Sequence, residues 1–458
     1  MALTKIKLDD VDPKATPVLA DSVLISDSED GGRGKLVTGA AIKALTSGNI
    51  VHMDDLGCVA DDDTDNFSTI RTAIQSGAGK TLQFGDGTYK LLVDATAIGT
   101  LPSGITIRGT GKDRTVLRFA KTTSTYLNLM TISASNNIVF EDLTLQCDYD
   151  DTISGNFFSV VSFSNVRFTR CKLIGQGSTT TANNKVYLFS LNKNTNTRTG
   201  FLMEHCDVSG WVYVFLKAND AVSVDYDYTI RYCTFEDNIT GNINFNSPLG
   251  ETVGFVVDHC KIYSAGPYLS GTGHLLAFAG VEDLRITNNS LYGESDWEAI
   301  HLENINQRCI IANNSIKVAS FWSNDTPHDL YGSGIWVNRN TTIGRMGAMD
   351  YLAITGNIIQ RYYTNDETSL SGTGISLAID AYPATTPATN VIISGNLIRN
   401  FKNGFEFEVP SDQSVWTTGN IIIDCTAGVR TDIDQSYFGS NKWVNCGAYT
   451  PENWEVNT

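Results

Sequence analysis

The sequence is poor in basic residues. Lys and Arg number 33 against 50 Asp and Glu, giving a formal net charge of −17 over 458 residues. Such a surface repels nucleic acid and anionic membranes. No basic cluster with interleaved aromatics offsets it, so a nucleic-acid partner is not expected. Long apolar runs are also missing. Nothing reaches the roughly 18 consecutive apolar residues of a spanning helix, so no membrane insertion is expected. Met1 is not followed by a positive segment and an apolar one, so no secretory signal peptide is expected. Cysteine is sparse and odd in number, nine in all. That argues against a disulfide framework and fits synthesis in a reducing cytoplasm.

What the sequence does have is a recurring phrase, an apolar run ending in Cys or Asn followed by another apolar pair. It reads Phe168-Thr-Arg-Cys171, Met203-Glu-His-Cys206, Ile230-Arg-Tyr-Cys233 and Val257-Asp-His-Cys260. The Cys then becomes Asn at Asn289, Asn314, Asn357, Asn396 and Asn420. The steps from Cys171 are 35, 27, 27, 29, 25, 43, 39 and 24 residues. A period in the twenties with longer excursions marks a solenoid. Each copy is too short to bury its own apolar face, so copies must stack. The Cys and Asn positions are then internal ladders of small hydrophobes and paired amides. Zinc at His205-Cys206 or His259-Cys260 is not expected, because strand neighbours point to opposite faces. No metal site and no cofactor is expected.

Residues 1–50 differ in texture, rich in Asp, Ser, Thr and Gly. Pro17 to Asp27, Gly31 to Gly34 and Leu36 to Leu45 read as a strand, a turn, and a strand leading into a short helix. This leader resembles the small N-terminal segments of phage tail fibre and tailspike proteins. Next, Asp61 to Asp65 precedes Phe67, Ile70, Ala73 and Ile74 at helical spacing, with Asp65 as the cap. The acidic run reads as a turn and cap rather than a Ca2+ loop. With Gly87-Thr88-Tyr89 and Ile105-Thr-Ile-Arg-Gly-Thr-Gly111, this block resembles the opening of pectate-lyase-like β-helix proteins. There the usual Phe-Pro-x-Gly-Thr-Tyr phrase has Pro where this chain has Gly85-Asp86.

The resemblance implies an all-β, right-handed parallel β-helix with an N-terminal capping helix and a small leader. The expected boundaries are 1–50 for a leader that attaches to the virion and 51–90 for the capping helix and first strands. The solenoid follows over 91–435, then a C-terminal cap or trimer contact over 436–458. For a phage tailspike it further implies a homotrimer located in the virion tail. The leader would meet the phage tail or baseplate, and the partner would be bacterial surface polysaccharide.

A second strand in each coil aligns by its Gly, and period 2 turns its polar residues outward. One outward column reads Asn244, His301, Trp336, Ser376, Glu406, Arg430. The other reads Asn246, Glu303, Asn338, Ala378, Glu408, Asp432. Leu276 and Phe278 fall outward in the same alignment. Coils about 4.8 Å apart and outward neighbours about 6.6 Å apart make His301, Glu303, Trp336 and Asn338 one patch. The loop carrying Asp296, Trp297 and Glu298 borders it, and the insertion carrying Trp322 and Tyr331 overhangs it. Carboxylates among Trp and Tyr suit sugars, whose C–H faces pack on rings and whose hydroxyls meet polar side chains.

Glycosidic hydrolysis needs two carboxylates, spaced roughly 6.5–9.5 Å for inversion. Glu406 with Glu408, or Glu303 with Asp296 or Glu298, can meet that range. A polysaccharide lyase is an alternative, with His301, Lys261 or Arg339 as the base or neutraliser. A non-catalytic carbohydrate-binding adhesin is another, since outward polar residues decorate any solenoid.

Overall fold

The structure is a computed structural model. It describes residues 22–27, 33–38, 49–93, 96–121, 127–149, 155–176, 186–191, 196–217, 224–238, 241–247, 251–264, 274–294, 298–303, 308–319, 333–338, 350–362, 372–378, 389–408, 415–431 and 437–446. Two compact units divide the chain after Val51. In the first, Ser22–Asp27 pairs antiparallel with Arg33–Thr38. The short helix expected up to Leu45 lies outside the described residues.

The second unit is a parallel β-solenoid. Among the described residues, three sheets of 14, 14 and 12 strands run along it. In each coil the chain visits them in turn, as in Val281–Thr287, Ser290–Glu294 and Ile300–Glu303. We call these the first, second and third sheets. Strands Tyr437–Gly439 and Lys442–Val444 carry the first two sheets into the segment expected as a C-terminal cap.

The described helix, Phe67–Gln75, buries Ile70, Ala73 and Ile74. It follows a strand of the second sheet in chain order, so it takes the place of a third-sheet strand in its coil. Asp65 accepts from the Phe67 N–H at 3.0 Å and from the Leu92 N–H at 3.0 Å. It therefore ties the helix start to the next coil.

The ladders form at the corner between the first and second sheets. Cys171, Cys206, Cys233 and Cys260 are buried, while His205 and His259 beside them are exposed. All nine cysteines are free thiols. From Asn289 onward each Asn donates Nδ2–H to the next Asn Oδ1, through Asn314, Asn357, Asn396 and Asn420 to Asn441, at 2.9–3.0 Å. Each Nδ2 also donates to a carbonyl of the preceding coil, as Asn357 does to Ile311 at 2.9 Å. These bonds satisfy backbone turned out of the sheets, which a buried corner requires. The residue before each ladder position is left-handed: Arg170, His205, Tyr232, His259, Asn288 and Asn313 have φ of 51–57°. In later coils Gly356, Gly395 and Gly419 take this conformation, which costs a side chain roughly 1–2 kcal/mol.

The interior stacks like side chains in register. Phe140 and Phe168 lie 4.8 Å apart at 2°, and Phe189 and Phe215 lie 4.7 Å apart at 21°, matching the spacing between strands.

Candidate functional site

The third sheet sets the geometry of the site. Its register runs Asn244, Ala277, His301, Trp336, Ser376, Glu406, Arg430 along one column. The second runs Asn246, Ala279, Glu303, Asn338, Ala378, Glu408. One expectation fails. Leu276 and Phe278 are wholly buried, and Ala277 and Ala279 hold the column positions. The cause is a one-residue slip: Gly273 is not the counterpart of Gly241. Ile243 pairs with Leu276, which puts His274 level with Gly241, and a slip of one exchanges faces.

A third polar column lies two residues before each strand's first inward residue. It contains His274, Glu298, Ser333, Thr373 and Asn403. From Glu298 to Asn403 all are buried. The polar residues expected to face solvent are thus largely covered. His301 is 7% exposed and Glu406 3%.

At the start of this seam stands a compact group. Glu298 Oε2 lies 3.1 Å from His274 Nδ1 and 3.2 Å from His301 Nδ1. The His274 and His301 rings are 4.3 Å apart, and Trp336 meets His301 edge-on at 4.8 Å and 80°. His301 Nε2 faces Glu303 Oε2 at 4.0 Å. Burial raises the pKa of Glu298, but hydrogen bonds from the two imidazoles outweigh it and take the carboxyl down to about 2. Burial also dominates at His274 and lowers its pKa against the pull of Glu298. Glu298 is therefore an anion at any ordinary pH. It cannot serve as a proton donor. The ligand atoms of His274, Glu298 and His301 all lie within 4.8 Å of one another, so this group can also hold a cation.

The other carboxylates differ in setting. Glu406 Oε2 accepts from Thr373 Oγ1 at 2.7 Å and from Asn403 Nδ2 at 3.4 Å. It stands three coils beyond the strand of His301, about 14 Å at the usual strand spacing. Glu303 is more open, its side chain 17% exposed. Asn338 and Glu408 are placed by strand register alone, next to Glu303 and Ala378 respectively. Asp296, Trp297, Trp322, Tyr331 and Arg339 lie outside the described residues. Trp336 Nε1 and Ser376 Oγ, neighbours in register, are buried donors without a protein partner among the described residues. His274 was missed by sequence reasoning. The signal for it was its place two residues before an apolar strand, as Glu298 stands before its own.

Fold and site together define a parallel β-solenoid with a histidine–carboxylate seam along its third sheet. No protein-family model matches the sequence, and no curated protein matches it. Solved structures do resemble it. The A-module of the mannuronan C-5 epimerase AlgE6 of Azotobacter vinelandii is 14% identical, over 88% of this chain and 100% of its own, with a TM-score of 0.45. Tailspike protein 3 of bacteriophage CBA120 is 15% identical, over 92% of this chain and 64% of its own, with a TM-score of 0.38. The catalytic unit of an alpha-1,3-glucanase from Streptomyces thermodiastaticus is 10% identical, over 88% and 69%, with a TM-score of 0.43.

Proposed function

We propose that the protein is a tailspike-type depolymerase that binds and hydrolyses bacterial surface polysaccharide along its third sheet. The observation that carries this reading is the position of Glu303. Of the candidate carboxylates with described side chains, Glu298 is a locked anion and Glu406 is buried under two donors. Glu303 is the accessible one, in the same strand as His301 and level with Asn338.

Glu303 donates the proton to the glycosidic oxygen, and Asp296, close before it in the chain, is the carboxylate that activates water. Trp336 is the platform for a sugar ring. The net charge of −17 suits a target that is not nucleic acid. The leader hairpin is the segment for attachment to the phage tail, and a homotrimer is the assembly.

One observation favours a second reading. Glu298 can hold a proton on His301 Nδ1, which leaves Nε2 as a base for β-elimination on a uronic acid polymer. The test is incubation with capsule, O-antigen and exopolysaccharide panels, followed by mass spectrometry. Fragments that gain one water per cut support hydrolysis, and unsaturated uronate ends support elimination. Retained binding without fragments means an adhesin and overturns the enzymatic reading.

A further inference from the structure

We infer that His274, Glu298 and His301 form a binding site for one divalent first-row transition-metal ion, with Zn2+ as the reference case. The site bridges two consecutive coils. His274 and Glu298 hold the same position before strands Leu276–Ala279 and Ile300–Glu303, and His301 is the first outward residue of the second strand.

The two distances from Glu298 are those of metal ligands that share an ion. Two atoms each about 2.0–2.2 Å from zinc sit roughly 3.0–3.6 Å apart, depending on the angle between them. Glu298 Oε2 is 3.1 Å from one imidazole nitrogen and 3.2 Å from the other. The three ligand atoms all lie within 4.8 Å of one another, so closing on an ion brings the two imidazole nitrogens together by at most roughly 1–2 Å. A proton on His301 Nδ1 satisfies its contact with Glu298, and a single ion set among the three atoms satisfies all three.

The chemistry selects the class of ion. Two imidazoles and one carboxylate suit zinc and its transition-metal neighbours, whereas Ca2+ and Mg2+ take all-oxygen sets. The surroundings suit a cation as well. Glu298 is a buried carboxylate, 1% exposed, whose Oε2 meets two imidazoles, so the group carries negative charge in a covered place. Three protein ligands leave a coordination position open.

The outer side is prepared too. With Nδ1 on the ion, His301 carries its proton on Nε2, which faces Glu303 at 4.0 Å. Trp336, packed against the His301 ring, restricts that ring further. A bound ion would also remove His301 as the base for elimination. The inference stands apart from the hydrolytic reading, since metal is retained whether or not a sugar is cleaved.

The test uses the full chain, stripped with a chelator, then given Zn2+ and gel-filtered. Metal content is read by mass spectrometry. The expected result is one zinc per chain and a higher melting temperature, with both lost in Glu298→Gln. The His205→Ala/His259→Ala double variant, which removes the exposed histidines beside the Cys ladder, should keep its zinc. Circular dichroism of the stripped variants checks that they are folded. If Glu298→Gln does not fold, Cu2+ electron spin-echo spectra decide. These should report two imidazoles in the parent protein and one in His274→Ala. No stoichiometric zinc in the parent, or zinc retained unchanged by folded Glu298→Gln, overturns the inference. So do spin-echo spectra that His274→Ala leaves unaltered.

Discussion

Asn314 and Asn357 stand 43 residues apart in the chain, yet Asn314 Nδ2 donates to Asn357 Oδ1 at 3.0 Å. Their strands are neighbours in the second sheet. The excursion between them leaves the ladder unbroken. Coils are therefore set by corner and strand positions, and sequence between strands varies without disturbing them.

Asn357 is wholly buried and its amide is fully engaged. Oδ1 accepts from the Asn314 N–H at 2.9 Å and from its Nδ2 at 3.0 Å, while Nδ2 donates to Ile311 and Asn396. Asn357→Ala leaves several buried groups without partners and should destabilise the solenoid by about 2–4 kcal/mol. The denaturation midpoint reads this. An unchanged midpoint would mean that the ladder contributes nothing.

Asp225 holds a buried charge network. Arg198 Nε donates to its Oδ1 at 2.6 Å, the Tyr228 hydroxyl donates at 2.9 Å, and Lys217 meets its other oxygen. Arg198, Lys217 and Asp225 are all 0% exposed. Asp225→Ala leaves two cations buried without their anion and should cost about 3–5 kcal/mol, enough to abolish soluble expression. Normal yield and melting would contradict this arrangement.

The corner carries a pH-sensitive pair. Arg170 donates Nε to Asp142 Oδ1 at 2.6 Å and Nη2 to Oδ2 at 2.7 Å. Hydrogen bonds from Arg170 hold the Asp142 carboxyl below its ordinary value. A depressed folded pKa stabilises above the unfolded value, about 3.9, and that contribution is lost as pH falls through the folded pKa. Asp142→Asn should therefore lower stability at neutral pH by a few tenths of a kcal/mol, since the pair is half exposed. Once pH falls below the folded pKa of Asp142, the variant and parent should converge. Melting curves across pH 2–7, roughly the span of these carboxyls, provide the check, and a constant difference at all pH values would contradict the assignment.

Trp336 offers a ring beside the accessible carboxylate. Trp336→Ala should raise KM about five- to tenfold, from roughly 1 kcal/mol of lost ring contact, with a smaller effect on kcat. Steady-state kinetics on the cleaved polysaccharide separates the two. A loss confined to kcat would place Trp336 elsewhere in the mechanism.

Much of the fold was legible because it is periodic. Cys171 through Asn420 marked the ladder by type and spacing, and only Asn441, outside the repeating phrase, was missed. The column His301, Trp336, Ser376, Glu406 followed from aligning strands on their Gly and from alternation. What could not be read was depth. Alternation tells which way a side chain points but not whether chain elsewhere covers it, so His301 and Glu406 read as surface and are buried. The coil of His274 failed for a sharper reason. It was aligned on Gly273, one residue off, and in a strand that error exchanges every face. His274 was hidden by that slip. The ion network at Asp225 brings together residues from separate strands, each unremarked in its own segment.

The central claim is cleavage at Glu303, and one comparison tests it most directly. Parent protein and Glu303→Gln are incubated with the same polysaccharide panel, and released fragments are counted by mass spectrometry alongside binding. The account predicts fragments heavier by one water per cut from the parent. It predicts a fall of two orders of magnitude or more in Glu303→Gln, on the order expected for a lost proton donor, with binding and melting unchanged. Equal fragment release by the two proteins would contradict it.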